Sequence, residues 1–213
     1  MAETLPNPHR AMPSAQWGAD LDTATIAVIA VHGRAQDPAF MQALTDRMDV
    51  PNAAFLAPRA FENSWYPRPF LEPIEENQPG LDNSLEVIDD ALAHLASRGF
   101  HSDRVVLLGF SQGACLVAHY ALTHPLPYRA LVILTGGFVG PVGTEPATPG
   151  RLDGVRVYLG TAAEDGWVPL TRVEETAELF RRQGATVELQ VSPGAEHAVS
   201  ADSIAAATAL MQD

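Results

Sequence analysis

The chain reads as an α/β domain, a mostly parallel central sheet with helices on both faces. Aliphatic runs of strand length alternate along it with segments of helical periodicity. Several of those runs are unbroken Val, Ile and Leu, as expected of strands covered on both faces. The 213 residues suffice for one domain, residues 1–213, which buries roughly 70% of its unfolded surface without a disulfide or metal staple.

In chain order, residues 1–20 form a polar, proline-rich arm, with an edge strand expected near Trp17. Thr25–Val31, Ala53–Ala57, Arg104–Phe110, Arg129–Thr135, Val155–Gly160 and Val187–Val191 are the expected strands. Asp37-Pro38 pairs an N-cap with proline in the first helical turn, and Met41, Leu44 and Met48 form the buried stripe behind it. Leu81, Leu85, Ile88, Leu92 and Leu95 line one helix face, which Gly99 stops. Residues 112–123 are apolar almost all round, so that helix is expected at the centre. Thr171-Arg172-Val173-Glu174 fits a capping box, with Gly184 ending its helix. Ser200 or Asp202 caps the last helix, which is expected to run from about Ser203. Two long loops remain, 58–80 with five prolines and 136–150. Loops of that length in a compact domain are usually functional or mobile.

Composition narrows the partners. Twenty-six acidic residues face 13 basic ones, all arginine, for a net charge of −13. That field repels phosphate backbones and anionic lipid, so nucleic acid and stable membrane docking are not expected. Cys115 is the only cysteine, and no Cys/His spacing resembles a zinc site. No basic segment followed by an apolar stretch opens the chain, so a cytoplasmic protein is expected.

The sharpest chemical signal is Gly109-Phe110-Ser111-Gln112-Gly113, set between a buried strand and a buried helix. A nucleophilic serine there needs a tight, strained turn that lifts its hydroxyl above the sheet, and the flanking glycines allow strand and helix to touch. The hydroxyl is a poor nucleophile without a base, and the base needs an acid to hold it. Among seven histidines, His197 follows the last strand, where an imidazole can reach across the sheet edge. His9 lies in the arm, His94 and His101 near Gly99, and His119 and His124 on or after the central helix. Asp165 follows strand Val155–Gly160, and the order Ser111, Asp165, His197 suits this fold. Glu164 is the competing acid. The residue after the nucleophile, Gln112, offers one oxyanion N–H at a helix N-terminus. The loop Val31-His32-Gly33-Arg34-Ala35-Gln36 offers the other from Arg34, with His32 as a brace.

Together these segments resemble the phospholipase/carboxylesterase family of small α/β-hydrolases, over nearly the whole chain from about Thr25. Phe110-Ser111-Gln112-Gly113 is particularly close to that family, and Val31-His32-Gly33-Arg34, Asp165 with Val168-Pro169, and Gly194 to His197 also match. The resemblance implies an α/β-hydrolase fold with no cap domain and cofactor-free hydrolysis of carboxylic esters or thioesters. It maps the triad to Ser111, Asp165 and His197, and the oxyanion donors to Arg34 and Gln112. Acyl-protein thioesters and lysophospholipids are alternative substrates, and a non-catalytic binding module is the rival class. Dimers are common among such proteins, so a homodimer is within what the resemblance implies. Asn63-Ser64-Trp65-Tyr66-Pro67 resembles the aromatic loop near the active site of bacterial members. Trp65, Tyr66, Phe70 and Trp167 are thus candidates to line the pocket of a small-molecule ester, or else to pack within their own loops. Two departures stand out. Ala35 occupies the second glycine position of His-Gly-x-Gly, where a positive φ would strain it. Trp167 replaces a smaller apolar residue, and either narrows the acyl site or packs beneath the acid loop.

Overall fold

The computed structural model describes residues 6–147 and 150–212. The first five residues of the expected arm, residues 148–149 of the second loop and residue 213 lie outside them.

Seven strands form one sheet in the order β1-β3-β2-β4-β5-β6-β7. They are β1 (Ala15–Gly18), β2 (Ile26–Val31), β3 (Ala53–Ala57), β4 (Val105–Phe110), β5 (Ala130–Leu134), β6 (Arg156–Ala162) and β7 (Thr186–Ser192). Only β1 runs antiparallel, pairing Trp17 opposite Phe55. The helices are α1 (Pro38–Thr45), α2 (Gly80–Ser97), α3 (Gln112–Thr123), α4 (Leu170–Arg182) and α5 (Ala201–Gln212).

The unbroken aliphatic runs divide by parity between two cores. In β2, Ala27, Ile29 and Val31 pack toward α2, α3 and α4, while Ile26, Val28 and Ala30 pack toward α1 and α5. Every residue of β2, β3, β4 and β5 is buried. Central strands covered on both faces have no polar face to display, which is why alternation is invisible in the sequence. Edge strand β7 does alternate between exposed and half-buried positions for most of its length.

Side-chain caps open two of the five described α-helices. The Asp37 carboxylate accepts the Ala39 N–H at 3.0 Å ahead of α1, and the Ser200 hydroxyl accepts the Ser203 N–H at 3.0 Å ahead of α5. Helix α4 departs from expectation. It begins at Leu170, after Pro169, with no side-chain cap bond. Proline's preset φ opens the helix there, and Thr171 falls inside it rather than at a cap.

The arm is a clasp rather than a loose tail. Asn7 donates to the Asn83 carbonyl at 2.7 Å, and Arg10 grips Asp90 at 2.6 Å. His9 is buried, accepts the Phe61 N–H at 2.9 Å and contacts the Ser84 hydroxyl at 3.2 Å. Because the inner strands run parallel, the segments after β2, β4, β6 and β7 emerge along one edge of the sheet.

Candidate active site

Ser111 sits between β4 and α3 with φ 53° and ψ −121°, a conformation that costs of order 1–3 kcal/mol for a residue other than glycine. The surroundings over-determine it. Its N–H donates to the Leu134 carbonyl at 2.9 Å and its carbonyl accepts the Cys115 N–H at 2.9 Å. The two flanking glycines are required by close approach. A Cβ on Gly113 would lie 2.2 Å from the Val31 carbonyl oxygen, and one on Gly109 would lie 2.5 Å from that of Gly113.

His197 reaches this serine from the loop after β7. Its Nε2 is 2.8 Å from Ser111 Oγ and its Nδ1 is 2.7 Å from Asp165 Oδ2. Facing a carboxylate, Nδ1 carries the proton and donates it, which leaves the Nε2 lone pair for the serine hydroxyl. The Asp165 side chain is fully buried, yet both of its oxygens are engaged. Oδ1 accepts the Trp167 and Val168 N–H groups at 2.8 and 3.1 Å, so the carboxylate is fixed before it meets the ring. Phe110 stands 5.5 Å from the imidazole and 5.0 Å from Phe40, backing the ring from the α1 side. The loop itself is tied down where the Glu164 N–H donates to the Gly194 carbonyl at 2.9 Å. The Glu164 side chain is exposed, and Asp165 is the carboxylate that turns inward.

The loop after β2 keeps its course despite Ala35. That residue adopts φ 61°, and its N–H is used, donating to the Asn63 carbonyl at 2.8 Å. The Gly33 N–H is also used, donating to the Gln36 side chain at 3.0 Å. Among the described residues, no protein acceptor takes the backbone N–H of Arg34 or of Gln112. Both residues flank a cavity of about 460 Å³ beside Ser111 and His197. His32 braces the loop, donating from Nδ1 to the Gly33 carbonyl at 2.8 Å and accepting the Ala60 N–H at Nε2, 3.1 Å away.

The four aromatic candidates separate. Tyr66 and Phe70 line the cavity, as does Trp167 at its rim. Trp167 is 76% exposed, so it does not pack beneath the acid loop. Trp65 is 1% exposed and lies outside the cavity, which removes it from the pocket set. Its indole N–H needs a buried acceptor and finds the His32 carbonyl at 2.8 Å, with the ring between His9 and His32. Ala35, Pro69, Cys115 and Val168 complete the apolar lining. Cys115 was readable as a candidate, since the fourth residue after Ser111 lies on the same face of α3. Burial pushes its thiol up to about 12, so it lines the cavity as a neutral group. Among the described residues, no cluster of three or more His, Cys, Asp or Glu could hold a metal ion, and no helix is long and apolar enough to cross a membrane.

The family model described as Phospholipase/Carboxylesterase matches residues 18–212. The chain belongs to the phospholipase/carboxylesterase family. A phospholipase/carboxylesterase from Dyadobacter fermentans DSM 18053 is similar at 30% identity and TM-score 0.90, over 95% of this chain and 97% of that one. Esterase PE8 is similar at 25% identity and TM-score 0.78, over 94% and 98%. A carboxylesterase from Mesorhizobium loti shares the fold at 23% identity and TM-score 0.74, over 95% of each chain. The architecture is that of the α/β-hydrolases, and membership in the phospholipase/carboxylesterase family supports a serine hydrolase of esterase or thioesterase type.

Proposed function

We propose that the protein hydrolyses carboxylic esters of small or medium acyl chain through Ser111, His197 and Asp165. The observation that carries this reading is the unbroken chain of hydrogen bonds from Asp165 to His197 to Ser111, at 2.7 and 2.8 Å. His197 Nε2 takes the hydroxyl proton as Ser111 Oγ bonds to the ester carbonyl carbon, and the carbonyl π pair moves to oxygen. The Arg34 and Gln112 N–H groups donate to that oxyanion. The tetrahedral species collapses as the carbon–oxygen bond to the alcohol breaks, and His197 returns the proton to the leaving group. Water, deprotonated by the same ring, then releases the acid and frees Ser111.

The cavity supports a short to medium acyl group. Its volume falls within the usual range for small-molecule sites, and its apolar lining suits an alkyl chain. The chemistry needs no cofactor. We place the enzyme in the cytoplasm as a soluble hydrolase of small esters, with neither nucleic acid nor a membrane as a standing partner.

The test is a panel of p-nitrophenyl esters of rising acyl length, with thioester counterparts, assayed on the wild type and on Ser111→Ala. Turnover of the short and medium oxygen esters, lost in the variant, is expected. Retained turnover in Ser111→Ala refutes the nucleophile, and a wild type inert on every ester and thioester points to a binding module.

A further inference from the structure

The two residues flanking the oxyanion position use their side chains on a single atom. Arg34 Nη2 donates to the Tyr66 carbonyl oxygen at 2.8 Å, and Gln112 Nε2 donates to the same oxygen at 2.9 Å. The Ser64 hydroxyl adds a third donor at 3.0 Å. Each side chain also holds the loop at a second place. Arg34 reaches the Pro67 and Arg68 carbonyls, both at 2.9 Å, and Gln112 Oε1 accepts the Trp65 N–H at 3.0 Å. The loop is itself rooted, since the Trp65 carbonyl accepts the Ser84 hydroxyl at 2.5 Å and Ser84 lies on α2.

We infer that the Tyr66 carbonyl is the keystone that sets the separation of the two oxyanion donors, with the Arg34 and Gln112 side chains as positioning groups. The two donors are unequally supported. Gln112 opens a buried helix, whereas Arg34 sits in a loop whose next residue holds φ 61°. An oxyanion donor must lie about 2.7–3.1 Å from the oxygen it stabilises; the loop is tied on either side of Arg34, at Gly33 and Ala35, and the Arg34 side chain adds the tie at the donor residue itself. The guanidinium supplies charge-assisted bonds in a rigid fork, which ties the loop through Tyr66 to α3. The same loop supplies Tyr66 and Phe70 to the pocket wall. The oxyanion bonds form only in the transition state, so freeing the Tyr66 carbonyl lowers the rate of the chemical step more than it weakens ground-state binding.

This inference rests on the proposed esterase reading, and the test separates the two. Arg34→Met and Gln112→Met keep both backbone N–H groups while removing the grip on Tyr66, and Arg34→Lys restores a charge without the fork. Wild type, each variant and the Arg34→Met/Gln112→Met double are compared in kcat and KM on p-nitrophenyl butyrate. They are also compared in affinity for a butyl trifluoromethyl ketone, which Ser111 Oγ attacks at the carbonyl carbon to give a hemiketal oxyanion as His197 takes the proton. The butyl methyl ketone fills the pocket as the ground-state control, and melting temperature reports the fold. Each single variant should lose about 10- to 100-fold in kcat and as much in trifluoromethyl ketone affinity. KM and methyl ketone affinity should stay within about threefold. The double should lose far less than the product of the singles, because both act through one carbonyl, and Arg34→Lys should recover only part of the loss. Unchanged trifluoromethyl ketone affinity in the singles, or multiplicative losses in the double, overturns the inference. A wild type that binds the two ketones equally overturns the esterase reading instead. If Gln112→Met fails to fold, Ser64→Ala takes its place beside Arg34→Met, with the same non-multiplicative result expected and a multiplicative one again overturning the inference.

Discussion

Replacing Asp165 by asparagine probes the proposed relay in a way the hydrogen bonds define in advance. An amide has one accepting end and one donating end. In this protein the Asp165 Oδ1 position already receives two N–H donors, from Trp167 and Val168, at 2.8 and 3.1 Å. An asparagine with its NH₂ there would face two donors, so its oxygen must take that place. Its NH₂ then faces His197 Nδ1, where the carboxylate oxygen now lies at 2.7 Å. The ring must accept through Nδ1 and carry its proton on Nε2, opposite Ser111, the wrong tautomer for a base. The penalty of such a tautomer change in a serine–histidine–aspartate relay is ~10⁴ in kcat, or about 5 kcal/mol of transition-state stabilisation. The assay is kcat on p-nitrophenyl butyrate at neutral pH, with thermal melting as the control for folding. A loss of 10³-fold or more in a folded variant is expected, with the residual rate from binding and the oxyanion donors. A folded Asp165→Asn enzyme within about tenfold of wild type would refute the reasoning.

Other expectations follow from the same geometry. Burial, reinforced by the charges of His124 and Arg172, lowers the pKa of His119 to about 4, and the Nδ1 atom has no hydrogen-bond partner. The unfolded chain therefore binds a proton that the fold refuses as pH falls from about 6.5 toward 4. Stability is complete above that window and declines by about 3 kcal/mol across it. The stability of wild type relative to His119→Leu, read from denaturant titrations, should fall by about 3 kcal/mol as pH is lowered through the window, and a pH-independent difference would contradict this. Ala35 holds φ 61°, at a cost of about 1–2 kcal/mol for an L-residue, which offsets the extra unfolded-state freedom of glycine. Ala35→Gly should thus be at least as stable as wild type, and a loss above about 0.5 kcal/mol would count against the strain. Trp167 is 76% exposed at the cavity rim, and it holds Asp165 through its backbone N–H alone. Trp167→Ala should leave the melting temperature unchanged and raise KM for the longer esters by about fivefold, as losing roughly 1 kcal/mol of apolar contact does, with acetate esters unaffected.

What the sequence made legible were features with a local physical signature. Buried strands appeared as aliphatic runs, and the elbow appeared because two glycines must stand where Cβ atoms would collide at 2.2 and 2.5 Å. Asp165 and His197 followed from chain order, since parallel strands deliver their following loops to one edge. Features set by distant partners stayed hidden. Trp65 and Tyr66 are adjacent, equally buried aromatics, and only the distant partners of the indole, the His32 carbonyl and the two flanking histidines, turn it away from the cavity that Tyr66 lines. The burial of His9 could not be read from the arm's composition, because its partners, Phe61 and Ser84, lie 52 and 75 residues away. The capping-box letters at 171–174 were overruled by Pro169, which starts the helix earlier. The roles of the Arg34 and Gln112 side chains were equally unreadable, because the atom they share belongs to the backbone of a third segment.

The central claim is that Ser111 is a nucleophile activated by His197, and covalent capture tests it most directly. Wild-type protein treated with a fluorophosphonate and read by intact mass and peptide sequencing should carry one label, on Ser111, with labelling at least 10³-fold slower in His197→Ala. A label on another residue, or a labelling rate indifferent to His197, would contradict the account.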